Sequence, residues 1–331
     1  MKVAVLGAGA WGTALAKVLA DKLFPTMLWA HDAAHAAAVN EARTNARYLP
    51  GFALPPSLRA TADLGEALDG AELVVVVVPT HALRGVIREA RPLIPPGALL
   101  CSASKGIEND SLMLMSEVLE AELGHEHVHR FTYLSGPSFA KETAAGMPTA
   151  VVVAGTSEKE THAVQHAFAG ERFRVYWSDD VAGVEIGGAL KNVVAIAAGI
   201  VDGIGFGHNS RAALITRGLA EISRIAVRKG ANPLTLAGLS GMGDLVLTCT
   251  GELSRNRTVG FEMGRGKTLA DVLAHLGHVA EGVKTTKSAY DLARKMDVDM
   301  PIVNDVYRVL YEGKPPRQAV VDLMTRGLKK E

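Results

Sequence analysis

The chain begins Met1-Lys2-Val3-Ala4-Val5-Leu6-Gly7-Ala8-Gly9-Ala10-Trp11-Gly12, and a helical run over residues 13–22 follows. A short apolar stretch passes into G-x-G-x-x-G, and each glycine has its own physical reason. Gly7 permits the tight turn. Gly9 lacks a side chain where a pyrophosphate must reach the backbone. Gly12 lets the helix pack against the strand. The first N–H groups of that helix have no partners inside it, and its dipole favours an anion there. The pattern alone is weak, but between a strand and a helix it has the context of a dinucleotide site.

Outward from this motif the alternation continues. Strands are predicted at residues 2–6, 26–30, 73–78, 98–102, 131–135, 149–154 and 173–177, with helical patterns between them, the signature of a parallel sheet covered by helices. Residues 73–78 are apolar at every position, as in a central strand buried on both faces. Ser157 with Glu160 three residues on predicts a capping box. After Trp177 the β signal stops. Helices are predicted at 181–204, 210–229, 282–296, 301–311 and 316–326. Pro301 suits a first helical position, and Ile302, Val306, Val309 and Leu310 share one face. The expected architecture is an α/β Rossmann-type N-terminal domain plus an all-α C-terminal domain. Residues 1–180 would form the dinucleotide-binding domain and 181–331 the helical substrate domain.

Composition narrows the function. Lys+Arg and Asp+Glu both number 35 in 331 residues, so the formal net charge is zero. That argues against nucleic acid, which needs a basic surface. Hydrophobic residues make up 48%, too many for a disordered chain. Cys101 and Cys249 are the two cysteines, which excludes a disulfide scaffold and points to a reducing compartment. The N-terminal apolar stretch is too short for a signal peptide. Residues 186–207 are apolar but carry Lys191, Asn192 and Asp202, so a buried helix is expected there and no membrane span. The expectation is a cytoplasmic protein, with an apolar helical half suited to forming a homodimer. The alternating histidines of residues 125–129 lack a completing Cys or acid set, and no metal is predicted.

Three groups of residues suggest chemistry. His31 stands at the end of the second strand, where an acid would bind the ribose of NAD. A histidine can donate to a 2′-phosphate, so NADP is expected to be accepted, with its preference over NAD left open. Asp32 would serve NAD if the register slipped by one, and Arg43 and Arg47 either add charge or form a solvated face. Lys191 follows Gly187 and Gly188 by one helical turn. Two helix-interior glycines suggest room for a flat ring or small substrate, and an apolar setting would suit the amine to proton exchange near neutral pH. The alternative is a lysine that reaches solvent and glycines that serve packing. Asp244, then Ser254-Arg255-Asn256-Arg257, offer a carboxylate, a hydroxyl, a guanidinium and an amide. That set suits a phosphate or the orientation of a lysine, or else a surface turn with a helix cap. Lys105 and the Ser135-Gly136-Pro137-Ser138 loop follow predicted strands, where ligands of open α/β sheets sit.

With these segments in view, the sequence resembles the bacterial-type NAD(P)-dependent glycerol-3-phosphate dehydrogenases over essentially the whole chain. GAGAWGTAL from Gly7, LWAHD from Leu28, SGPSFAKE from Ser135, GALKNVVA from Gly188, DGIGFG from Asp202, GDLVLTCT from Gly243 and SRNR from Ser254 carry the resemblance. It implies reversible reduction of dihydroxyacetone phosphate to sn-glycerol 3-phosphate, a phospholipid precursor. It further implies cofactor contacts from Ala10, Trp11, His31, Lys105, Ala140, Arg255, Val279 and Glu281. Lys105, Gly136, Ser138, Lys191, Asp244, Ser254, Arg255 and Asn256 would surround the substrate, with Lys191 the proton acceptor in oxidation. Ala10 replaces a frequent family serine, so only a backbone contact survives there. Two alternatives are a β-hydroxyacid dehydrogenase and a non-enzymatic NADP sensor. The G-x-x-x-K-x-x-x-N of the former fails here, because Ala195 stands in place of the Asn.

Overall fold

The computed structural model describes residues 1–276 and 280–328. The chain divides into two compact units, Met1–Lys105 with Met113–Glu185, and Gly106–Leu112 with Ile186–Glu331.

The first unit is built on an eight-stranded sheet in the order β3-β2-β1-β4-β5-β6-β7-β8. Its strands are β1 Val3–Leu6, β2 Thr26–Trp29, β3 Leu58–Thr61, β4 Leu73–Val76, β5 Leu99–Ser102, β6 Phe131–Ser135, β7 Thr149–Gly155 and β8 Phe173–Ser178. The helices are α1 Ala10–Asp21, α2 Ala33–Ala42, α3 Leu64–Leu68, α4 Thr80–Ala90, α5 Met115–Leu123, α6 Ala140–Ala144 and α7 Glu158–Phe168. Alternation along the strands separates two cores. Val3, Val5, Leu73 and Val75 face one core with Leu15 and Leu19 of α1 and Val164 and Phe168 of α7. Ala4, Leu6, Val74 and Val76 face the other with Leu83 and Ile87 of α4 and Val118 and Leu119 of α5. Strands buried on both faces therefore read as continuous apolar runs.

The structure corrects the expected sheet in two places. Strand β3 escapes sequence reading because Leu-Arg-Ala-Thr is short and carries a charge. It lies at the sheet edge, where an exposed Arg59 is tolerated. Strand β7 runs antiparallel to β6, and β8 is parallel to β7, so the sheet is mixed. Between β6 and β7 lies only the five-residue α6, too short a helix for the usual parallel crossover. The capping box at Ser157 also takes another form. Its hydroxyl bonds the Glu160 carboxylate directly and makes no bond to the helix backbone.

The second unit is helical: α8 Val181–Ile204, which begins in the first unit, then α9 Gly207–Arg228, α10 Pro233–Leu236, α11 Asp244–Thr250, α12 Arg255–Gly264, α13 Leu269–Leu276, α14 Glu281–Lys295, α15 Pro301–Tyr311 and α16 Pro316–Met324. Helices α10 to α13 lie in a stretch whose glycines and serines read as turns. Helix α8 is long and apolar enough to cross a membrane, yet 94% of its apolar window is buried. One reason is close contact with α12. A Cβ on Gly199 or Gly203 would lie 2.0 or 2.2 Å from the carbonyl oxygens of Arg257 and Phe261, and one on Gly260 would lie 1.9 Å from that of Ile196. Glycines one turn apart on both helices thus let backbone meet backbone.

Glu221 of α9 is 2% exposed and accepts from the backbone N–H groups of Ile302 (2.8 Å) and Val303 (3.2 Å) in the first turn of α15. Burial raises its carboxyl to about 7 despite these two donors. Arg224 and Asp299 are the nearby charges, of opposite effect.

Gly203→Ala gains about 1 kcal/mol of helix propensity but overpacks against backbone that has no rotamer to yield, at about 3 kcal/mol. The expected net loss is about 2 kcal/mol, measured by chemical denaturation. For Glu221 the folded state holds its proton more tightly than the unfolded state, so stability from this group falls as pH rises from about 4.5 towards about 7. The melting temperature of the wild type, relative to that of Glu221→Gln, is expected to fall between about pH 5 and about pH 8, whereas a pH-independent difference would contradict the assignment.

Candidate active site

In the first unit the glycine loop joins β1 to α1, which starts at Ala10 inside the motif rather than at residue 13. Gly7 has φ +123°, and a Cβ there would lie 2.4 Å from the Val77 carbonyl oxygen. A Cβ on Gly12 would lie 1.8 Å from the Gly7 oxygen. Gly9 has nothing within 4 Å of the equivalent point, so the space in front of the first turn of α1 is open. No side chain caps that turn. Such open, uncapped N–H groups fit a pyrophosphate. Asn45, fully buried, braces the loop: its amide donates to Ala8 O (2.9 Å) and Thr13 Oγ1 (2.8 Å) and accepts from Tyr48 N (3.1 Å). No spacing in the sequence distinguishes this asparagine from a turn residue.

At the end of β2, His31 is exposed. Asp32 caps α2, accepting from Ala34 N (2.9 Å) and His35 N (3.3 Å), and its other oxygen lies 3.5 Å from Arg47. Its charge is thus partly offset. Arg43 is bound to backbone, donating to the carbonyls of Leu58 (2.8 Å), Leu54 (3.1 Å) and Pro55. Ala10, Trp11 and Ala140 pack on one small cluster of Ala14, Leu49 and Ala144. Beyond β5 and β6, Lys105 Nζ donates to Gly136 O (3.3 Å), and Ser138 Oγ donates to the same oxygen (3.1 Å).

In the second unit Lys191 is 8% exposed and Asp244 is 1% exposed, and the lysine ammonium donates to the aspartate carboxylate. The amine's setting is therefore not simply apolar. Gly187 does not leave room for a ring: a Cβ there would lie 2.5 Å from Ser240 O. It lets a π-helical turn, Leu239–Gly243, press against α8 and deliver Asp244, the first residue of α11. Thr248 Oγ1 donates to the Asp244 carbonyl (2.6 Å).

Ser254 is the N-cap of α12 and accepts from Arg257 N at 3.2 Å. Arg255 is exposed in the first turn. Asn256 donates to Asn192 Oδ1 (2.9 Å) and accepts from Gly282 N (3.0 Å), so α8, α12 and α14 meet at its amide. Asn192, 6% exposed and adjacent to Lys191, was not among the residues expected from sequence; its position beside the lysine was the available signal. Glu281 opens α14. Val279 lies outside the described residues.

Burial pushes both thiols, Cys101 and Cys249, up to about 12. Residues His125–Arg130 form a 3-10 turn in which His125 pairs with Glu120 (2.6 Å), and among the described residues no metal-binding group of His, Cys, Asp or Glu gathers. What the second unit offers chemically is a nearly buried ammonium held by a buried carboxylate and linked through Asn192 to a helix N-terminus that displays an arginine. Such a set can exchange a proton and hold an anion.

Comparison with known proteins agrees. Residues 2–161 match the NAD-dependent glycerol-3-phosphate dehydrogenase N-terminus, and residues 180–321 match its C-terminus. A protein of Geobacter sulfurreducens named glycerol-3-phosphate dehydrogenase (NAD(P)+) is 55% identical over 330 residues, covering 100% of this chain and 98% of its own. One of the same name from Anaeromyxobacter dehalogenans is 55% identical over 331 residues, covering 100% of both. The crystal structure of glycerol-3-phosphate dehydrogenase from Coxiella burnetii superimposes with a TM-score of 0.94 at 41% identity, covering 98% of this chain and 99% of that one. The chain belongs to the NAD-dependent glycerol-3-phosphate dehydrogenase family.

Proposed function

We propose that the protein interconverts dihydroxyacetone phosphate and sn-glycerol 3-phosphate with NADP(H) or NAD(H). Residues 1–180 serve as the dinucleotide-binding domain and 181–331 as the helical substrate domain. The observation that carries this reading is the buried Lys191–Asp244 pair, joined through Asn192 and Asn256 to the turn that bears Ser254 and Arg255.

The reduced dinucleotide, when bound, supplies the hydride. Gly9 leaves room for its pyrophosphate, in a turn that Gly7 and Gly12 allow the chain to make, and Ala10, Trp11, Ala140, Val279 and Glu281 are the further contacts that the family resemblance implies. His31 would meet the ribose, and Asp32, whose charge is partly offset by Arg47, leaves a 2′-phosphate admissible there. Lys191 donates its proton to the ketone oxygen as negative charge develops there, and in the reverse direction takes it back from the alcohol. Asp244 holds the ammonium in place. Ser254, Arg255 and Asn256 would hold the phosphate, so binding energy remote from the reacting carbon fixes its position; substrate contacts from Lys105, Gly136 and Ser138 are what the family resemblance implies. A sensor that only bound NADP would have no use for this second set.

We place the enzyme in the cytoplasm, where its product would feed phospholipid synthesis; both cysteines being buried thiols fits a reducing compartment. Assembly as a homodimer belongs to the same proposal, supported by exposed Tyr311, Val321 and Met324, and sedimentation of the purified chain measures it.

Lys191→Ala is expected to lower turnover of dihydroxyacetone phosphate by at least about a hundredfold while NADPH binding, followed by its fluorescence, persists. Near-normal turnover would reject the proton role. Initial rates with NADH and NADPH, and with an unphosphorylated β-keto acid in place of the ketone phosphate, test cofactor and substrate together.

A further inference from the structure

Asp202 lies on α8 eleven residues beyond Lys191, close to three turns, and so on the same face. Its side chain is 10% exposed. Arg211 of α9 donates through Nη1 to both carboxylate oxygens, at 3.1 and 3.0 Å. Arg257 of α12 donates to Oδ2 through Nε at 3.0 Å and Nη2 at 2.7 Å. One carboxylate thus binds two guanidiniums, and the trio keeps one net positive charge. Removing the carboxylate would leave two cations facing each other.

Packing alone does not explain this arrangement, because the glycine contact already holds α8 against α12. Arg257 is the residue where the two devices meet. Its carbonyl oxygen lies over Gly199, its guanidinium is held by Asp202, and its N–H donates to Ser254 Oγ at 3.2 Å. That last bond occupies an acceptor position of the Ser254 hydroxyl and leaves the hydroxyl hydrogen to donate outward. Arg255 lies two residues before Arg257 in the same turn.

We propose that Asp202 is a positioning residue for the substrate phosphate: by holding Arg211 and Arg257 it sets the first turn of α12 so that Ser254 and Arg255 receive the anion. It also keeps Arg257 from turning to the phosphate itself. This inference rests on the roles given to Ser254 and Arg255 above.

The test compares two substrates that differ by the phosphate. Asp202→Asn is expected to raise KM for dihydroxyacetone phosphate about tenfold, the scale of one charge-assisted hydrogen bond, with kcat changed less than about threefold. In contrast, kcat/KM for unphosphorylated dihydroxyacetone should stay within about twofold, because that substrate has no phosphate for the α12 turn to hold. Asp202→Glu, which keeps the charge, should recover part of the loss. An unchanged KM for the phosphorylated ketone, or an equal loss on both substrates, overturns the proposal. Should Asp202→Asn not fold, Arg257→Lys keeps the charge but gives up the fork, and it should show the same substrate split in smaller measure. Arg255→Ala run in parallel separates two failures. If it leaves KM for dihydroxyacetone phosphate unchanged, the phosphate site itself is misassigned. If it raises KM while Asp202→Asn does not, only the positioning role falls.

Discussion

Helix α8 is buried along most of its length, yet Lys191, Asn192 and Asp202 sit on it. A charge withdrawn from water must find a partner or it destabilises the fold by several kcal/mol. The second unit is organised around meeting that demand. Asp244 meets Lys191, the amide of Asn256 meets Asn192, and Arg211 with Arg257 meets Asp202. The partners come from three stretches of chain, α9, the start of α11 and the first turn of α12, so satisfying the helix also gathers the groups that the chemistry uses.

Glycine makes these meetings possible. Gly187 brings the π-helical turn before Asp244 within backbone contact of α8, and Gly199 and Gly203 do the same for α12. Larger residues would hold the neighbours apart, beyond the reach of a lysine–aspartate or aspartate–arginine bond. Gly187, one turn before Lys191, is therefore understood through what it admits from the protein, not through an empty space left for a ligand. In the first unit the contrast is instructive: the point facing Gly9 is open, whereas Gly7 and Gly12 are filled by backbone. The same residue type serves both approach by a ligand and approach by the chain.

Polar bracing is the second theme. Asn45 ties the Ala8 carbonyl and Thr13 hydroxyl, and Asp32 closes the first turn of α2. The Asn45 bonds hold the glycine loop ahead of the uncapped first turn of α1, which reduces the reordering that a bound anion would require there.

How much of this could be read from residues alone follows from the range of the forces involved. Periodicity, the glycine motif, Pro301 at a helix start and the all-apolar β4 are local, with causes that lie within a few residues, and they determined the class of each half of the chain. The four-residue edge strand β3 was not legible, because its alternation is too short and too polar to stand out. The reversal of β7 depended on how little helix its connection carries. The chemical residue types were likewise visible, including Lys191, Asp244 and the Ser254–Asn256 run. Which of them touch was not. That Asp244 lies against Lys191, that Asn192 joins Asn256, and that Asp202 reaches Arg257 as well as the nearby Arg211 depends on helices distant in sequence packing at backbone distance. Only the folded chain brings those groups together, since a buried charge selects its partner by proximity in space and the sequence records proximity only along the chain.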